Sequence, residues 1–158
     1  MNMFLTTAKR ILVYLALLMC ASCTEASSTS PLQLTAYNHT AAGVGAYSVE
    51  IPGGKGTSAG FLGSGEGGGG FTCCVSVPTK WRAGMSIAVT QYSIVDGKNV
   101  ETTSTVPLPE YDADNSSTLS IHFLSSGAVR AYVTPYALGH PEYPLQGKDA
   151  EKPPIQSL

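Results

Sequence analysis

Four stretches of the chain alternate apolar and polar side chains with a period of two, and this alternation restricts the fold more than any other feature. Leu32, Leu34 and Ala36 interleave with Gln33, Thr35 and Tyr37, and Met85, Ile87 and Val89 with Ser86, Ala88 and Thr90. Leu119, Ile121 and Phe123 interleave with Ser120, His122 and Leu124, and Val129, Ala131 and Val133 with Arg130, Tyr132 and Thr134. Successive side chains on a strand leave opposite faces, so each stretch offers one face to a core. Asp96-Gly97-Lys98-Asn99 and Ser125-Ser126-Gly127 separate such runs and supply the glycine that a hairpin turn demands. Strands are expected near residues 32–38, 44–50, 71–77, 85–95, 100–106, 118–124 and 128–134. The fold class that follows is all-β, an antiparallel β-sandwich or a partly open barrel of about seven strands. Charged residues fill only 13% of the 158 positions while Gly supplies 17 and Pro 10, which argues against a solvated helical bundle and toward short strands joined by turns.

Beyond the last strand, Pro135, Pro141, Pro144, Pro153 and Pro154 each lack an amide donor for a β-ladder. This Pro-rich C-terminal tail is expected to be irregular and to lie across the sheet, docked by Tyr136, Leu138 and Tyr143.

The N-terminus carries a different signal. Lys9 and Arg10 precede the apolar run Ile11 to Met19, the pattern of a secretory signal peptide. Nine helical residues rise roughly 14 Å, less than half of a bilayer core of about 30 Å, so a spanning helix fits poorly. The run ends in Met19-Cys20-Ala21-Ser22-Cys23, and small residues before a cysteine resemble the lipobox of bacterial lipoproteins. Cys23 is the expected acylation site; Cys20 stands where that motif usually has Leu, and acylation at Cys20 itself would place bulky Met19 next to the cut. Acyl chains on Cys23 would hold the protein to the membrane without any helix. Thr24 after it, in place of Asp, implies the outer membrane by analogy with lipoprotein sorting. The expected organisation is a signal peptide over 1–22, a tether over 23–31, a β domain over 32–148 and a tail over 149–158. Removal of Lys9 and Arg10 leaves 7 basic against 11 acidic residues, a net charge of −4 that offers nothing to nucleic acid.

Few motifs carry chemistry. Gly63-Ser64-Gly65-Glu66-Gly67-Gly68-Gly69-Gly70 lacks the Lys-Ser/Thr and helix of a phosphate cradle and reads as a flexible loop. Cys73 and Cys74 are adjacent, so they do not have the spacing that brings two thiolates to one metal. Two readings stay open for them. As free thiols, Cys73 would be buried with Phe71, Val75 and Val77 while Cys74 shares a face with Thr72 and Ser76; as a vicinal disulfide, favoured by an oxidising compartment, they would mark a bulge beside the glycine loop. His39, His122 and His140 are isolated along the chain and read as surface or turn histidines. Asp112, Asp114 and Asn115 read as a capped turn more readily than as a calcium loop. Asn38-His39-Thr40 is a glycosylation sequon that bacterial export would leave unused. No catalytic residue, metal ligand or cofactor is expected.

Leu34-Thr35-Ala36-Tyr37-Asn38-His39-Thr40, the glycine run leading to Cys73-Cys74, Pro78-Thr79-Lys80-Trp81-Arg82-Ala83-Gly84 and Gly139-His140-Pro141-Glu142-Tyr143-Pro144-Leu145 together resemble a proteobacterial lipoprotein family defined only as a domain of unknown function, over about residues 32–148. The resemblance implies genes for type VI secretion lipase or phospholipase effectors as neighbours, and a role as immunity protein against them. A partner surface would then include Trp81 and Arg82, residue types that dominate protein interfaces, with His140 and Tyr143 beside them. The alternatives are an envelope assembly module that binds a membrane or wall protein, and an enzyme using Cys74 or His140.

Overall fold

The computed structural model of the chain describes residues 28–154, apart from 69, 96 and 97. The signal peptide, Cys20, Cys23 and the Asp96-Gly97 turn therefore lie outside the described residues. Eight strands follow in order: β1 (Thr29–Asn38), β2 (Tyr47–Glu50), β3 (Thr57–Ala59), β4 (Thr72–Pro78), β5 (Ser86–Val95), β6 (Lys98–Pro107), β7 (Thr118–Phe123) and β8 (Val129–Thr134). They form two four-stranded sheets, β4-β1-β7-β8 and β3-β2-β5-β6. The sheets do not close on one another, so the fold is a β-sandwich.

The alternating runs supply the space between the sheets. Leu34, Ala36, Leu119, Ile121, Phe123 and Ala131 of one sheet meet Tyr47, Val49, Ile87, Val89 and Val106 of the other in one buried cluster. The Tyr47 and Phe123 rings meet edge to face at 5.4 Å. Both expected hairpins are present. Val95 pairs with Lys98 across the β5–β6 connection. Gly127 has φ 82°, and its amide donates to the Leu124 carbonyl at 2.9 Å to close the β7–β8 turn.

Three features depart from the sequence reading. β1 begins at Thr29, so Thr29 to Pro31 pair with Pro78 to Ser76 where a tether was expected. β3 is an extra strand of three residues on the edge of β2, too short to display alternation. β1 and β7 pair in parallel, unlike every other strand pair. A parallel pair needs a long connection, and the passage of the chain through the second sheet between β1 and β7 provides it.

The tail crosses the outer face of the first sheet. Tyr143 and Leu145 are buried with Leu124, and Tyr132, Tyr136 and Leu138 pack around them. A 3₁₀ turn over Gly147–Ala150 brings the chain back toward the end of β1. All six residues of β7 are consequently buried, the inner set by the second sheet and the outer set by the tail.

Candidate functional site

Two places in the sandwich hold unusual chemistry, one sealed and one open. The sealed one lies under the tail. His122 points from β7 to the outer face and is 0% exposed, because Tyr143 of the tail closes over it. His39 follows β1 directly, and the parallel pairing of β1 with β7 sets it beside His122. His39 Nε2 lies 2.8 Å from His122 Nδ1, His122 Nε2 lies 2.6 Å from the Tyr143 hydroxyl, and His39 Nδ1 lies 2.9 Å from the Glu151 carbonyl.

The Glu151 carbonyl can only accept, which fixes the protons along the chain. His39 Nδ1–H donates to Glu151; with His39 neutral, its Nε2 accepts from His122 Nδ1–H, and His122 Nε2 accepts the Tyr143 O–H. Burial, and then the neighbouring His39, push the His122 pKa down to about 3. Burial drives the Tyr143 hydroxyl far above the usual tyrosine value. Ser120 Oγ approaches that hydroxyl and opposes the rise, but it stays outside hydrogen-bond geometry as a buried polar atom without a partner. Tyr37 stacks on His122 with centroids 4.8 Å apart and planes 8° apart. In this arrangement the histidines fasten the tail: one holds Tyr143, the other holds the backbone at Glu151.

Asn38 is a second buried hub, 0% exposed. Its Nδ2 donates to the Ala42 and Gly63 carbonyls at 2.7 and 2.8 Å, while Oδ1 accepts from the Thr40 amide and hydroxyl. The sequon is thus internal structure with no free amide. The glycine run is also built in, correcting the flexible-loop expectation. The Asn38 amide donates to the Glu66 carbonyl and the Gly68 amide to the Ala36 carbonyl, laying this segment along β1. Gly67, at φ 122°, sits so close to the Ala36 carbonyl that a side chain there has no room.

The open place is at the far end of that run. Cys73 and Cys74 form a vicinal disulfide, and both residues are exposed. Leu32 pairs with Val75 and Leu34 with Thr72, so the two cysteines together oppose Gln33 in a β-bulge. The extra residue shifts the phase of the strand. Val75 and Val77 stay buried, whereas Cys73 and Phe71, expected on the same inner face, are turned to solvent. Phe71 is 59% exposed and Phe61 69%, and both rings flank a slot of about 210 Å³ whose floor includes Leu34, Ala36 and Tyr47. The two phenyl rings form an apolar ledge along this slot, and the disulfide follows Phe71 in sequence at the start of β4.

With this geometry described, comparison places the chain among known sequences. Residues 37–131 match the family described as protein of unknown function (DUF3304). The chain belongs to this family. No curated protein and no solved structure matches it. The family segment covers Asn38, His39, the glycine run, the cysteine pair and His122. The tail that covers the histidines, with Tyr143 and Glu151, falls beyond it.

The residues singled out in the sequence scatter over the surface and interior. Trp81 is half-buried, its indole N–H donating to the Leu108 carbonyl at 3.0 Å, and Arg82 beside it is exposed. His140 is exposed and stacks on Tyr136 at 4.3 Å. Tyr143, expected on a partner surface, is instead 1% exposed because its ring seals the histidine pair. Asp112 does cap a turn, accepting from the Asp114 amide and the Asn115 side chain, and the Asn115 hydrogen bond holds its carboxyl below the usual range. Among the described residues no group of three or more His, Cys, Asp or Glu converges as a metal site. Sequence reasoning missed the His39–His122 pair, since 83 residues separate the two rings along the chain. The signal for it was indirect: a histidine on the second face of a strand that the tail was expected to cross.

Proposed function

We propose that the protein is an outer-membrane lipoprotein, held on the periplasmic side by acyl chains on Cys23, whose β-sandwich binds and neutralises a type VI secretion lipase or phospholipase effector. The lipobox-like sequence supports the anchor, and the family resemblance supports the class of partner. The observation that carries the binding role is the ledge of Phe61 and Phe71 beside the Cys73–Cys74 disulfide. Buried aromatic anchors dominate the energy of protein interfaces, and both of these residues are more than half exposed, Phe61 with its ring resting beside Gly43. A lipase works at an apolar interface, so the mouth of its active site presents apolar surface that two phenyl rings complement. Anchoring the inhibitor at the membrane raises its local concentration where such an enzyme must act.

The test is survival of susceptible cells that receive the effector while expressing the lipoprotein. Wild type is expected to protect. Phe61→Ser/Phe71→Ser removes two anchors at about 2 kcal/mol each, which weakens binding by roughly 10³-fold and abolishes protection. Both rings are exposed, so the variant folds and reaches the envelope at the wild-type level. Full protection by the double variant would show that the ledge is not the binding face; no protection by wild type would refute the immunity role.

A further inference from the structure

A groove of about 730 Å³ opens at the other end of β4, and its wall has two chemistries. Ile51, Met85 and Leu108 give it an apolar side, while Lys80 and Arg82 bring two cations to it and, among the described residues, no carboxylate lines it. That concentration of charge is unusual for a chain that carries only 7 basic residues against 11 acidic ones after position 22. The groove is of the size that takes a small amphiphile. Paired Arg and Lys side chains are the groups that hold phosphate, Arg through its planar fork and Lys as a point charge.

The position of the groove says which phosphate. Ser28 lies on its rim, and the Thr79 amide donates to the Ser28 carbonyl at 2.9 Å, so the loop bearing Lys80 and Arg82 is fastened to the point where the N-terminal segment meets the sandwich. Cys23 precedes Ser28 by five positions, a reach of at most about 18 Å. Acyl chains on Cys23 therefore leave the groove no farther than that from the bilayer surface. From the structure we infer that the groove seats the phosphate of a phospholipid headgroup, with the glycerol and upper acyl carbons against Ile51, Met85 and Leu108. The inference rests on the reading of Cys23 as the anchor.

Such docking sets the orientation of the domain. β4 has seven residues, with Phe71 just before its first and the groove at its last, a separation of about 20 Å along the strand. With Lys80 and Arg82 down on the headgroups, the ledge of Phe61 and Phe71 points away from the membrane. The tether makes the docking intramolecular, so a site of modest intrinsic affinity stays occupied.

Trp81, the single tryptophan of the chain, stands between Lys80 and Arg82 in sequence and donates to the carbonyl of Leu108, which lines the groove, so its emission reports from beside the site. The native lipoprotein is reconstituted into phosphatidylethanolamine–phosphatidylglycerol vesicles containing a headgroup-spin-labelled lipid, and Trp81 fluorescence quenching is read. Strong quenching is expected in wild type. A basic residue at an anionic surface contributes about fivefold to binding, so Lys80→Gln/Arg82→Gln shifts the ratio of docked to undocked domain by about 30-fold and removes most of the quenching. Acylated protein on the vesicles with Trp81 unquenched would overturn the headgroup site and leave the anchor standing. Mass spectrometry showing Cys23 without acyl chains would overturn both. A change in Trp81 emission produced by inorganic phosphate alone, matching that on vesicles, would assign the groove to a free anion and overturn the lipid assignment.

Discussion

Replacing His122 with alanine is expected to destabilise the sandwich by about 3–5 kcal/mol, a large part of the stability of a domain this size. Three losses combine. The ring leaves a cavity where Tyr37, Tyr132 and Tyr143 now pack against it. His39 Nε2 loses its donor and the Tyr143 hydroxyl its acceptor, both out of reach of water. The tail loses the side chain that holds Tyr143. Urea unfolding followed by intrinsic fluorescence measures the effect as a lower midpoint. Tyr143→Phe, which leaves the ring and removes one hydroxyl, should cost only about 1–2 kcal/mol. A loss below about 1 kcal/mol in His122→Ala would mean that the histidine pair does not hold the tail.

Acid is expected to loosen the same contacts. The His122 pKa is about 3 in the folded protein and about 6.5 in the unfolded chain. Between those values the unfolded chain binds a proton that the native state refuses, so native stability falls as pH falls. The contribution of the buried neutral ring is complete above pH about 6.5 and is lost at about 1.4 kcal/mol per pH unit below it, roughly 4 kcal/mol by pH 3 to 4. Asp112, whose carboxyl is held below the usual range by the Asn115 hydrogen bond, adds its own loss at still lower pH. The His122 component is isolated by comparison with His122→Gln, which should show a shallower slope between pH 6.5 and 4.5. Hydrogen exchange should find tail amides around Tyr143 opening before those of β7. Equal slopes in wild type and His122→Gln would contradict the protonation scheme.

The sandwich was legible in the sequence because several of its strands obey a single rule. Where one face meets the other sheet, as at Leu119, Ile121 and Phe123, apolar residues recur every second position, and the structure buries that set. Legibility failed where tertiary structure changes the count or covers the second face. At Cys73–Cys74 the bulge inserts a residue, so the alternation that holds for Val75 and Val77 predicts the wrong side for Phe71. On β7 the second face reads as polar, yet Ser120 and His122 are buried by the tail. The glycine run looked free because composition cannot show that Gly67 is needed for close approach to β1. The ledge follows from the bulge and the histidine pair from the parallel β1–β7 pairing, so both depend on register, which a single sequence does not display.

The central claim is that the protein acts by being bound. The most direct measurement is a titration of purified lipase effector, assayed on phospholipid vesicles, with the native lipoprotein. Hydrolysis is expected to fall linearly and cease near one equivalent, and Phe61→Ser/Phe71→Ser should shift the titration to far higher concentrations. Undiminished hydrolysis in the presence of excess wild-type protein would contradict the account.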